Sequence, residues 1–237
     1  MTEQPHDQDA HPGDLIFRAG FSVDIVLLTY HSKTLQVLLE RKKVIPVQDQ
    51  WGLPGSLIMH NQETDQCMDA LLLNCIGTTD LYKKQLQAFS QVDRHPLGRV
   101  ITFAYYGLIA HERVTLNRQD DLRWCPLHEA RHLSYDHDLI LKRVLYRFRK
   151  GLLRHPIVFE LLPAEFIISD IIKLYELAFG KQLDGPNFRG RLRRSRLIAP
   201  LGKYWHPPGS IGRPAELYTF QREKYHGQSN ERIQFNF

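Results

Sequence analysis

The chain has 237 residues, 43% of them hydrophobic and 24% charged, enough for one large or two small globular domains. Its net charge of +5 is unevenly distributed: 13 of the 31 Lys+Arg and 8 of the 26 Asp+Glu fall in residues 151–237, leaving 18 of each before them. This excludes a uniformly basic protein and concentrates the positive excess in the C-terminal part, where it favours a nucleic-acid-binding module. The N-terminus MTEQPHDQDAHPGD lacks the apolar core of a signal peptide. No uncharged apolar run approaches a membrane span. Cys67 and Cys75 sit eight residues apart on a predicted helix, about 12 Å along its axis and too far to bridge. With Cys125 they read as reduced thiols, and the chain as a cytoplasmic protein that does not enter a membrane.

In chain order, residues 1–16 read as a disordered arm. Residues 21–30 (FSVDIVLLTY) and 35–40 (LQVLLE) are strands joined by a turn at 31–34, and 41–50 form a polar loop. Residues 51–58 (WGLPGSLI) form a short strand carrying a Pro-Gly turn. Residues 64–76 have the helical stripe Cys67, Leu71, Leu72 and Cys75, with Gly77 in the terminating position. Strands follow at 85–92 and 99–109, with shorter ones at 114–116 and 122–124. A helix at 138–150 presents Ile140, Val144 and Phe148 to one side, and Gly151 is expected to end it. Strands with a helix after the third and another at the end imply an α+β or α/β sandwich over about residues 17–151.

Residues 152–163 (LLRHPIVFELLP) are apolar enough to dock onto the preceding domain. Ser169 is expected to cap a helix over 170–179, with Ile171, Leu174 and Ala178 inward and Gly180 as its stop. Asp184 then caps an Arg-rich helix in which Pro186 suits the first turn. Phe188 and Leu192 share one face, and Leu197 extends that anchor. Asn187, Arg189, Arg191, Arg193 and Arg194 occupy the remaining faces. Two apolar segments, 197–201 and 216–220, flank a Gly- and Pro-rich turn and form a hairpin carrying Lys203 and Arg213. A basic helix followed by a basic hairpin, over 152–220, is the sequence pattern of a winged helix-turn-helix: helix in the major groove, hairpin on a flanking phosphate or the minor groove. The tail 221–237 has no readable pattern.

The order and spacing of several segments resemble the NrtR family of Nudix-related transcriptional regulators. They are VLLERKKVIPVQDQWGLPG at 37–55, VDRHPLGRVITFAYYGL at 92–108, YDHDLI at 135–140, FELLP at 159–163, YELAFGKQL at 175–183 and GRPAELY at 212–218. The resemblance implies a Nudix-like α/β/α sandwich followed by a winged helix, homodimers, and binding to duplex DNA at a palindromic operator. It further implies repression of NAD-metabolism genes and a small-molecule effector, ADP-ribose or a related NAD-derived nucleotide. Related members serve sugar catabolism, so a sugar or sugar phosphate is the alternative effector. A third reading is an active Nudix-type pyrophosphatase.

The hydrolase pattern that this resemblance brings in tests the third reading. Aligned on Gly77, its Arg-Glu pair falls on Ala70 and Leu71, and its metal-binding paired glutamates fall on Asn74 and Cys75. Gly55 is one residue early for its place and Glu63 one late. Magnesium needs hard oxygen ligands, which an amide and a thiol do not supply. Glu63, Asp65 and Asp69 then read as a solvated helix face, and the domain as a non-enzyme without cofactor or metal. For the effector, Arg41, Arg94 and Arg99 offer guanidinium groups suited to phosphate, and Trp51 and Tyr105 offer faces for a base. Each reads equally well as structural. One competing motif, His128-Glu129-Ala130-Arg131-His132, matches the H-E-x-x-H zinc signature. That chemistry also needs a third ligand, for which His137 is available, but Pro126 before the motif and Ser134 after it leave room for little more than one helical turn, so it is expected to bind no functional zinc.

Overall fold

The computed structural model describes residues 19–96, 98–206 and 214–227. The arm 1–16, most of the tail and Arg213 lie outside them.

The strand β1 (Gly20–His31) is central to the sheet, and its residues 22–30 are all buried. Such a strand needs apolar side chains in both directions, which is why VDIVLLTY is apolar almost throughout. Val26, Leu28 and Tyr30 enter one core, Val23, Ile25 and Leu27 the other. The chain returns along β2 (Thr34–Arg41) through Ser32 and Lys33, both at positive φ (49° and 58°), as a tight two-residue hairpin requires. On the far edge of β2 lies β7 (Leu122–Pro126), while on its other edge β3 (Trp51–Gly52) pairs with the end of β2 and β4 (Gly55–Leu57) with the start of β1. Next to β1 runs β6 (Val100–Leu108), parallel to it, followed by antiparallel β5 (Tyr82–Phe89).

One face of the sheet is covered by α1 (Thr64–Ile76), which buries Cys67, Met68, Leu71, Leu72, Cys75 and Ile76. Gly77, left-handed at φ 72°, ends it as expected. The other face is covered by α2 (His137–Leu152), with Ile140, Val144 and Phe148 inward. Gly151 does not terminate α2 but lies inside it. A Cβ there would stand 2.6 Å from Ile157 Cδ1, so the glycine admits the following segment rather than stopping the helix. Residues 114–116 form no strand; Val114 and Leu116 pack against the α1-side core as an irregular segment. Residues 51–58 split into β3 and β4, because each half pairs with a different strand.

The segment 152–163 docks as expected, through a 3-10 turn (Ile157–Leu161) with Ile157, Val158, Phe159 and Leu161 buried. The helix α3 (Ile168–Phe179) starts earlier than Ser169 predicts: Ile167 occupies the cap position and Ser169 lies within the first turn. Gly180, left-handed at φ 65°, closes it. Next come α4 (Gly185–Arg194) and the hairpin β8 (Ile198–Trp205) with β9 (Ala215–Phe220). The start of the tail, expected to be featureless, forms a short helix α5 (Arg222–Gly227) held by Arg222 on Glu160 at 2.9 Å.

A single apolar cluster runs from Val26 and Leu28 through Phe148 and Tyr175 to Phe188, Leu192 and Tyr218. Tyr175 is fully buried, tilts against Phe188 with centroids 5.3 Å apart, and donates its hydroxyl to the Leu152 carbonyl at 3.0 Å. Sheet, α2 and the C-terminal helices therefore share one close-packed core. Among the described residues no helix is long and apolar enough to cross a membrane.

Candidate functional site

A cavity of about 320 Å³ opens where β1 begins and β2 ends. The WGLPG turn builds its wall by close approach. A Cβ on Gly52 would meet Ser134 Oγ at 2.2 Å and His137 Nδ1 at 2.7 Å, and one on Gly55 would meet Asp24 Oδ1 at 2.0 Å. Only glycine lets the turn lie against these groups. His137, the first residue of α2, accepts the Leu53 N–H on Nδ1 at 2.8 Å, so its proton belongs on Nε2, which faces Asp24 Oδ2 at 3.5 Å. Arg94 forks onto Asp136 at 2.6 and 3.0 Å, donates to Thr102 Oγ1, and lies 3.7 Å from Asp24. Burial alone would raise the Asp24 pKa; His137, Lys42 and Arg94 together hold it below the ordinary value.

The opposite wall comes from β2 and the α1 side. Glu40 accepts Lys42 Nζ at 2.8 Å and Arg118 Nη2 at 2.7 Å. Burial would raise its pKa, but these two cations hold it low. Arg118 Nη2 also lies 3.5 Å from the Cys75 sulfur, whose pKa burial pushes up, so the thiol is neutral at physiological pH. Asn74, its neighbour, is exposed. Five cations (Arg41, Lys42, Lys43, Arg94, Arg118) face two carboxylates (Asp24, Glu40) around the cavity, a balance suited to an anionic ligand.

Of the five residues expected to meet a ligand, the structure brings Arg41 and Arg94 to this cavity. Arg41 is about half exposed (47%) and paired with Asp49 at 2.8 Å. Arg94 is 2% exposed and already held by protein carboxylates. Trp51, Arg99 and Tyr105 do not line the cavity. Trp51 is covered by the Arg123 guanidinium at 4.0 Å. Arg99 donates to the Ser90 carbonyl at 2.6 Å. Tyr105 points to the α1 face, where its hydroxyl donates to Asp65 at 3.3 Å. The aromatic wall is instead Tyr135, at positive φ (58°), stacked on His95 with centroids 4.9 Å apart. In the sequence nothing marks Asp24, Glu40, Lys42, Arg118 or Tyr135 as ligand contacts, and His137 is placed only beside the His128–His132 motif. The one local signal was a Glu-Arg-Lys-Lys run closing an apolar strand.

The carboxylates near the hydrolase pattern are dispersed. Glu63 precedes α1 and donates its backbone N–H to Gln66 Oε1 (3.1 Å), Asp65 serves Tyr105, and Asp69 pairs with Lys83. The His128–His132 stretch is a turn rather than a helix, with His132 at positive φ (56°) and His128 exposed. Two histidines on one helical face, the geometry that H-E-x-x-H chemistry uses, are not formed.

The second candidate surface is α4 and its hairpin. Asp184 caps α4 by accepting the Asn187 N–H at 3.2 Å, and Phe188 and Leu192 are buried, which turns the other faces outward. Asn187, Arg189, Arg191, Arg193 and Arg194 are all exposed. Arg193 is tied to the hairpin through Tyr218 Oη at 3.0 Å and Glu216 at 3.9 Å, so it fixes helix to wing. Lys203 pairs with Glu165 at 2.5 Å but stays exposed. Tyr204 is paired across the hairpin with Glu216, hence on the face turned to α4, and is 66% exposed. No pattern in the sequence had marked it.

A ligand cavity in an α/β sandwich, joined through one core to a winged helix with an exposed basic recognition helix, defines a Nudix-like DNA-binding protein. The sequence model of the NrtR DNA-binding winged helix domain matches residues 158–220. The ADPR responsive transcriptional repressor NtrR of Acinetobacter baylyi is 24% identical over 212 residues, covering 86% of this chain and 83% of that one. The crystal structure of Shewanella oneidensis NrtR with a 27mer DNA superposes with a TM-score of 0.76 at 25% identity, over 87% of this chain and 95% of that one. The NUDIX domain of the same Shewanella protein, complexed with ADP ribose, matches with a TM-score of 0.51 at 27% identity, over 62% of this chain and 99% of that one. The likeness to NrtR proteins thus extends over most of the chain, with the family's DNA-binding domain matched at 158–220.

Proposed function

We propose that this chain is a transcriptional repressor that binds a palindromic operator as a homodimer and responds to ADP-ribose or a related NAD-derived nucleotide. In this reading residues 17–151 sense the effector and residues 152–220 bind DNA. The observation that carries it is the Asp184-capped helix α4, whose buried Phe188 and Leu192 leave a row of arginines turned to solvent within the matched DNA-binding domain. Asn187 and Arg189, near the helix start, read bases; Arg191, Arg194, Lys203 and Arg213 contact phosphate, and Arg193 orients the wing. The positive cavity takes the effector. Arg41 and Lys42 approach its phosphates, and Tyr135 stacks on its base. The relatives that carry ADP-ribose in their names support this choice.

The domain holds its nucleotide without hydrolysing it, because a buried neutral thiol and an outward amide stand where carboxylates would hold metal. The helix α2 joins the two functions. His137 at one end faces the cavity, while near the other end Arg149 donates to the Ala178 carbonyl of α3 at 2.5 Å and Leu152 accepts Tyr175. A shift at the cavity is felt at α3 and α4 because the core between them is close-packed.

The test is to sequence the DNA bound by the protein in its native cells, then measure binding to that DNA with and without ADP-ribose. The expected result is an inverted repeat whose affinity changes with ADP-ribose and not with a pentose or its phosphate. A response to the pentose phosphate alone moves the protein to sugar regulation. Metal-dependent turnover of ADP-ribose near one per second, an ordinary enzymatic rate, overturns the non-enzyme assignment.

A further inference from the structure

We infer that Arg118 takes the place of the divalent cation in this cavity, making recognition of a diphosphate-bearing effector independent of metal. The inference rests on the cavity being the effector site. The donor set does not fit magnesium. Among the groups at this wall Glu40 is the hard oxygen ligand, and both of its oxygens are engaged, one by Lys42 and one by Arg118. The Cys75 thiol is soft and neutral, and Asn74 is exposed and does not line the cavity. An ion entering at this wall would meet an ammonium and a guanidinium at hydrogen-bond distance from Glu40, while Asp24 on the opposite wall is held by His137 and Arg94.

Arg118 supplies the charge instead. Its Nη2 lies between Glu40 Oε1 (2.7 Å) and the Cys75 sulfur (3.5 Å), so the group is anchored on the helix that carries the altered hydrolase pattern. The side chain keeps 31% exposure and lines the cavity. Among the described residues, no hydrogen bond uses its Nη1. A fixed planar guanidinium with one edge free binds phosphate oxygens well. It cannot coordinate a water and lower its pKa, the second task a metal performs in hydrolysis. The replacement therefore keeps the binding half of the chemistry and discards the hydrolytic half. Cys75 belongs to the same device. A glutamate at that position would form a second ion pair with Arg118 and hold it away from a ligand.

The experiment is calorimetric titration of the full chain with ADP-ribose in EDTA and in magnesium. Equal affinity in the two buffers is expected, and Arg118→Gln, which removes the charge, should weaken binding at least about thirtyfold. Binding that requires magnesium, or an Arg118→Gln chain that melts normally and binds like the parent, overturns the inference. Should that variant fail to fold, protection of Arg118 from phenylglyoxal in the unaltered chain replaces it: saturating ADP-ribose should block modification, and undiminished modification overturns the assignment. If the unaltered chain binds no ADP-ribose in either buffer, the effector reading fails by itself. Inorganic pyrophosphate then decides on Arg118: protection of this residue without metal sustains its role, and no protection refutes it.

Discussion

Two sets of arginines in this molecule have the same chemistry and opposite circumstances. In the cavity, Arg94 is 2% exposed and held by Asp136, Asp24 and Thr102, and Arg118 is anchored by Glu40. On α4, Arg189 and Arg194 are exposed and enter no ion pair among the described residues. A buried charge must be compensated within the fold, because desolvation otherwise costs several kcal/mol. An exposed one needs no internal partner and stays available to an external anion. The first set therefore shapes a site, and the second meets a partner. Arg118 stands between the two, with one edge anchored and one free.

The sharpest way to break this contrast is Arg94→Ala. It takes the buried guanidinium from the buried Asp24 and the partly buried Asp136 and should cost about 3–5 kcal/mol of stability, read from denaturant unfolding. A loss under about 1 kcal/mol, the ordinary scale of a surface substitution, would place Arg94 with the solvent-facing set. Arg189→Ala tests the other side. It should weaken operator binding by about 1–3 kcal/mol and relax specificity at one base pair, as seen by titrating single-base operator variants. Operator affinity that survives joint replacement of Asn187, Arg189 and Arg194 by Ala removes α4 from the DNA interface. Arg194→Ala should leave folding stability within about 0.5 kcal/mol and lower the salt slope of DNA binding by about one unit, equally for all sequences.

The smallest effect concerns acid. The Asp24 pKa is depressed in the fold, so the stability it contributes is present above its unfolded value and is lost as pH falls through the folded one. Asp24→Asn should therefore flatten part of the stability loss below about pH 4, the ordinary carboxylate range. Asp170 works in the opposite sense: burial raises its pKa despite the Tyr30 hydrogen bond, so its protonation favours the fold. Its replacement by Asn should steepen the acid loss. An unchanged acid limb for Asp24→Asn would show that this carboxylate is solvated rather than clamped.

Local rules alone determined much of this protein. The bounds of α1, its glycine stop, the Asp184 cap, and the Phe188–Leu192 anchor that turns the arginines outward each depend on residues within about one or two helical turns. Such signals sit side by side in the sequence. The same rules failed where a distant neighbour intervened: Gly151 looked like a stop until Ile157 packed on it, and Ser169 looked like a cap although the helix had already begun. The cavity was decided almost wholly by the tertiary structure. Arg118 and Glu40 are 78 residues apart, Arg94 and Asp136 42, Leu53 and His137 84. Trp51 and Tyr105 were legible as aromatics, but strand parity and a covering arginine direct them elsewhere. Charge pairing in a core is a property of which groups meet after folding, and linear spacing carries no record of it.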